Sequence, residues 1–185
     1  MTIFVAGVHG VGKTYLAKPA ALRLGMRYAT ASQLIREERG YATWDSSKKV
    51  DEVSQNQAAL VAAVDKINLA GHSLLLDGHF VLRTAVGSHQ MLPQAVFRDL
   101  GCTSVVLLAC PTEVVLERLS SRGENSWTED EIVVFARCEA DRAAAVCEAL
   151  AIPLVTLREP TLDAFDSVLT ALRASEMGGQ RKAKN

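Results

Sequence analysis

Two rhythms alternate along this chain. Short, mainly apolar runs at 3–6, 73–76 and 104–109 read as buried strands, and 154–157 as a last strand. Between them, apolar residues recur at helical spacing. The first such stretch, 13–24, ends at Gly25, a good helix stop. A short strand is expected at 27–29 and a helix at 31–39, followed by a polar, irregular segment at 41–49. Over 50–70, Val53, Leu60, Val61, Val64 and Ile67 share one helical face, and Gly71 closes the helix. The run 73–76 ends at Asp77 and gives way to a loop at 78–93 and a short helix to 100. Pro111 opens a helix at a favoured first-turn position. Residues 123–126 break it. Thr128 and Glu131 then form a capping-box pattern for a long helix to 150. A last strand and a last helix, 161–173, precede a polar, basic tail at 176–185 predicted to lack fixed structure.

Strands alternating with helices predict an α/β domain over 1–175, its parallel sheet covered on both faces and its crossovers right-handed. Ligands of such sheets bind at the carboxyl ends of the strands. The Gly-rich turn after the first strand, Asp77, and the segment after Leu157 all fall there.

With 185 residues, 49% of them apolar, the chain is long enough for one real core. A net charge of −1 gives no footprint for nucleic-acid or membrane binding, and the apolar runs are far shorter than a bilayer span. Cys102, Cys110, Cys138 and Cys147 form no CxxC pair, so reduced structural thiols are expected, not zinc. With no charged leader ahead of the first strand, a cytoplasmic setting is expected. Arginine outnumbers lysine 13 to 7, and arginine is the better fork for phosphate.

The decisive pattern is Gly7-Val8-His9-Gly10-Val11-Gly12-Lys13-Thr14, which fits GxxxxGK[ST] between a strand and a helix. The glycines let successive N–H groups turn toward phosphate oxygens, and the helix adds its positive end. Gly7, His9, Gly10, Val11, Gly12, Lys13, Thr14 and Tyr15 are therefore the candidate contacts to ATP. Lys13 would reach the β- and γ-phosphates and Thr14 the Mg²⁺ ion. Tyr15 stands where a second small hydroxyl residue is common, and Pro19 is expected to kink or loosen the first helix. Asp77, at the end of an apolar strand in the same sheet, is the second candidate for Mg²⁺. His79 would orient a water or a phosphate, or serve as a plain loop histidine.

With these residues in view, the chain resembles the archaeal-type adenylate kinase group and its DxH-containing relatives, over roughly 1–160. The opening strand and P-loop, Asp77-Gly78-His79, Glu117-Arg118-Leu119 and Asp141-Arg142-Ala143-Ala144 carry the resemblance in order. It implies a three-layer P-loop NTPase fold with strand order 2-3-1-4-5, acceptor-binding helices at 31–70 and a short lid at 120–128. The implied activity moves the γ-phosphoryl group of ATP to a nucleoside monophosphate. Ser32, Arg36, Gln57, His79 and Arg83 would then contact the acceptor. Arg118 and Arg122 would stand at the lid root, and Arg142 on the returning helix with Arg137 as its companion. Arg158 would border the adenine. Lys13, Asp77, Arg118, Arg122 and Arg142 would form the catalytic set, converging on charge that spreads during transfer. Asp141 in place of an amide, Tyr15, Pro19 and the stretch around Trp44 depart from the group, which leaves the acceptor open.

Two other functions also remain open: a nucleotide switch or ATPase acting through a protein partner, and an interaction module with a vestigial cradle. A homo-oligomer is likewise open.

Overall fold

The structure, a computed structural model, describes residues 1–40 and 49–182. Five strands form one parallel sheet: β1 (Thr2–Ala6), β2 (Arg27–Thr30), β3 (Leu74–Asp77), β6 (Cys102–Ala109) and β7 (Leu154–Arg158), in the order β2-β3-β1-β6-β7. Counted within the sheet, that is 2-3-1-4-5. The labels differ only because a two-stranded hairpin, β4 (Val81–Ala85) and β5 (Ser88–Met91), intervenes. Every residue of β1 and β3 is buried, as expected where strands are covered on both faces.

The helices are α1 (Lys13–Arg23), α2 (Ala31–Arg39), α3 (Lys49–Leu69), α4 (Gln94–Asp99), α5 (Thr112–Ser120), α6 (Glu129–Leu150) and α7 (Leu162–Lys182). α1 packs on α7, while α3, α4 and α6 contact one another in series. This division follows from right-handed crossovers, because the chain moves one way from β1 to β2 and the other way thereafter. Phe4, Phe80 and Phe97 lock the core under the sheet's carboxyl end, with Phe4 meeting both others edge-on at centroid distances of 5.1 and 5.4 Å. The register pairs Asp77 with Val5 on one side and Thr30 on the other, which sets it beside the turn that follows β1.

Three expectations need correction. The loop at 78–93 contains the β4–β5 hairpin, turned at Gly87 with φ 68° and held from outside by Glu131, which accepts the Gly87 N–H at 2.9 Å. The last helix runs to Lys182, past 173 and into the tail at 176–185 expected to lack fixed structure, with Ala174 and Glu176, both good helix formers, carrying it beyond 173. α1 passes unbroken through Pro19, although that position lacks a helical N–H. The irregular segment expected at 41–49 lies outside the described residues up to 48, Trp44 included.

Candidate active site

The chain leaves β1 and turns at Gly7 with φ 134°, where a Cβ would stand 2.5 Å from the Leu108 carbonyl oxygen on β6. Only glycine fits so close to a neighbouring strand. Gly12, with φ 108°, delivers the chain into α1, whose start has no side-chain cap. The first N–H groups of α1 are thus left to an incoming anion.

Lys13 is buried. Its Nζ donates to the carbonyls of Gly7 at 2.7 Å and Val8 at 3.2 Å, and lies 3.4 Å from His79 Nε2. Burial lowers its pKa against the pull of Asp77 and Glu139. Thr14 Oγ1 donates to Asp77 Oδ2 at 3.1 Å, and the Tyr28 hydroxyl reaches the same carboxylate oxygen at 3.0 Å. Burial raises the Asp77 pKa, while Lys13 and these two hydroxyls draw it back. The Thr14 hydroxyl and the Asp77 carboxylate are hard oxygen donors, a set that suits Mg²⁺ when phosphates complete its shell.

These groups open into a cleft of about 380 Å³, within the range of small-ligand sites. His9, Gly10, Gly12, Lys13, Thr14, Tyr15, Asp77, His79 and Arg122 line one end of it. Ser32 and Ile35 of α2 and Gln57 and Leu60 of α3 line the wall opposite. Gln57 Oε1 is buried without a hydrogen-bond partner among the described residues. A buried amide oxygen left unpaired costs stability and marks a place for a ligand N–H. Arg118 crosses from α5 to the P-loop, where its guanidinium meets the carbonyls of Gly10 at 3.3 Å and Val11 at 3.0 Å.

Five expected arginines are not brought into the cleft. Arg83 grips Glu131 with two bonds of 2.7 Å, bonds Ser126, and lies over the Trp127 ring at 4.0 Å, so its fork is already engaged. Arg142 clasps the Leu92 carbonyl with two N–H groups and fixes the exit of the hairpin. Arg36 is exposed, one residue beyond the cleft-lining Ile35. Arg158 is exposed at the end of β7. Arg137 is also exposed, with Asp141 at 3.7 Å.

Sequence reasoning passed over three residues. Tyr28 reaches Asp77, as described, and its hydroxyl also lies 3.2 Å from Thr14 Oγ1. Trp127 faces His9 of the P-loop at 5.6 Å. Glu139 is 1% exposed, lies 2.8 Å from His79 Nδ1 and accepts the N–H groups of Phe80 and Val81. A signal existed for Glu139, because it falls in register with the buried Ile132, Phe135, Ala143 and Val146 of α6. His79 is further held by His9, stacked on it at 4.3 Å. Burial, then the charge of Lys13, keeps His79 well below the usual histidine pKa.

A family model described as AAA domain matches residues 6–134, which takes in the P-loop, the cleft walls and the lid root. The chain belongs to this family. Within it, the chain is similar to adenylate kinases. It is 28% identical over 156 residues to the adenylate kinase of Thermococcus kodakarensis, covering 80% of each chain. It is 25% identical over 159 residues to that of Methanoculleus marisnigri, covering 80% of this chain and 83% of the other. Among solved structures, shikimate kinase from Acinetobacter baumannii in complex with shikimate superposes with a TM-score of 0.60 over 95% of this chain and 93% of that one. At 16% identity, that likeness shows the shared fold. Among the described residues, no helix of this family member is long and apolar enough to cross a membrane.

Proposed function

We propose that this protein moves the γ-phosphoryl group of ATP to a nucleoside monophosphate, giving ADP and a nucleoside diphosphate. The observation that carries this reading is the continuity of the cleft. One volume runs from the Lys13–Thr14–Asp77 cluster to the α2–α3 wall with Ser32 and Gln57, so two substrates can meet inside it. The adenylate kinases it resembles support the same reaction class.

In this reading the P-loop amides and Lys13 bind the polyphosphate, and Arg118 and Arg122 approach from the lid side to balance its charge. Thr14 and Asp77 hold Mg²⁺, which when bound neutralises charge on the phosphates. Ser32 and Gln57 seat the acceptor, and the unpaired Gln57 oxygen takes an N–H of its base. The chain needs no covalent nucleophile, because an acceptor phosphate is already ionised and transfer depends on alignment. AMP is the first acceptor to test, since its exocyclic amine offers such an N–H.

The test is a coupled assay of ADP formation with ATP, Mg²⁺ and each common nucleoside monophosphate in turn. Turnover that depends on one monophosphate is expected. ATP loss at one rate with and without every monophosphate overturns the reading.

A further inference from the structure

We propose that Glu139 is a positioning residue that sets the tautomer of His79 and through it the place of the P-loop lysine. The proposal rests on the phosphoryl-transfer reading for its kinetic consequence, but its structural part stands apart from it.

The proton arrangement follows from the partners. An ammonium group carries only donors. Two of the Lys13 N–H bonds reach the carbonyls of Gly7 and Val8, and the third direction faces His79 Nε2. His79 Nε2 must therefore accept, so the ring proton sits on Nδ1, where Glu139 receives it at 2.8 Å. The same carboxylate accepts the N–H groups of Phe80 at 3.0 Å and Val81 at 3.4 Å, which pins the chain just after Asp77 and His79. His9 and Phe135 close the remaining sides of the ring, with centroids 4.3 and 6.0 Å away. His79 cannot turn over to present the other nitrogen without losing these contacts.

Such a buried carboxylate is costly unless every lone pair is used. Glu139 has no other partner among the described residues than His79 and the two amides that follow it. Its contacts thus serve the segment that carries Asp77 and faces Lys13. A carboxylate that orients a histidine toward another functional group is a recurrent device, and beside metal-bound histidines its loss lowers affinity or activity about 10–100-fold.

Glu139→Gln separates this role from packing. A glutamine of equal volume offers one oxygen to the three donors that Glu139 serves, so its NH₂ faces either the Phe80 N–H or His79 Nδ1 together with the Val81 N–H. Where the NH₂ faces His79, the ring carries its proton on Nε2, donor against donor with Lys13.

The experiment reads His79 by long-range ¹H–¹⁵N correlation in ¹⁵N-histidine-labelled protein at pH 8, with kinetics alongside. The wild-type protein is expected to carry the proton on Nδ1 alone, and the variant to populate the Nε2 tautomer as well. The variant should lose about 10–100-fold in kcat while KM for ATP changes less than about threefold. In a His79→Ala background the same change should alter kcat less than about twofold, because the pair acts as one unit. A wild-type His79 protonated on Nε2 overturns the proposal, and that measurement needs no variant to fold. Independent, multiplying losses from Glu139→Gln and His79→Ala also overturn it. Failure of the kinase reading looks different: no monophosphate supports transfer by the wild-type protein, whatever the tautomer.

Discussion

Two glutamates, eight residues apart on α6, show how one helix serves two regions in opposite ways. Glu131, near the lid, faces a cation. Arg83 holds it with two short bonds, and the pair ties the hairpin to Ser126 and Trp127. That hydrogen-bonded pairing pulls the Glu131 pKa down to about 2. Glu139, one layer deeper, faces only a neutral ring and two amides, and burial pushes it up to about 7. Around Glu131 the charges satisfy each other and hold structure together. Around Glu139 they are arranged toward the cleft, where Lys13 and Asp77 are also displaced from their usual pKa values. The contrast implies that substitutions near Glu131 act on stability and those near Glu139 on chemistry.

The largest effect that sharpens this contrast is at Lys13. Lys13→Ala should lower kcat/KM about 10³-fold, with little change in melting temperature. A stable variant that keeps its activity breaks the comparison on the cleft side. Next comes Glu131→Ala, which strands Arg83 in a half-closed site. It should cost about 3 kcal/mol in denaturant unfolding, with kcat changed only a few-fold. A loss of activity without a loss of stability breaks the comparison on the lid side.

A smaller effect separates the two carboxylates by pH. Glu131 has a depressed pKa, so its stabilisation is complete above about pH 4.5 and is lost as pH falls toward about 2. Glu139 has a raised one, so the native state takes up its proton first and stability falls as pH rises from about 4.5 to 7. Glu131→Gln should flatten the acid limb of a stability–pH curve, and Glu139→Gln the limb near neutrality. Unchanged limbs contradict the assignments. The smallest effect is at Tyr28. Tyr28→Phe removes the hydroxyl that bonds Asp77 and Thr14, and should raise the Mg²⁺ concentration for half-maximal activity a few-fold, with stability nearly unchanged.

The fold was largely legible in the sequence because strands buried on both faces leave unbroken apolar runs, and the P-loop pattern fixes which strand comes first. The capping box at Thr128 was half legible. Thr128 Oγ1 does accept the Glu131 N–H at 3.2 Å, but the glutamate side chain leaves its own helix for Arg83 and Gly87. That diversion also hid the hairpin, since its turn at Gly87 is held by a residue 44 positions on. Local turn chemistry at Val86-Gly87 gives little warning of it. The arginines mark the limit of sequence reading. Arg118 and Arg122 reach the P-loop and the cleft, whereas Arg83 and Arg142 are taken up by Glu131 and the Leu92 carbonyl. Spacing along a helix puts a guanidinium on a face, but its partner depends on what the tertiary fold brings there. Glu139 was hidden for the same reason, its partners lying about 60 residues upstream.

The most direct measurement is ³¹P NMR of the protein with ATP, Mg²⁺ and AMP. A single cleft that seats both donor and acceptor predicts two diphosphates for each ATP and AMP consumed, with no free orthophosphate and no reaction in Lys13→Ala. Orthophosphate accumulating at the same rate with and without any monophosphate would contradict it.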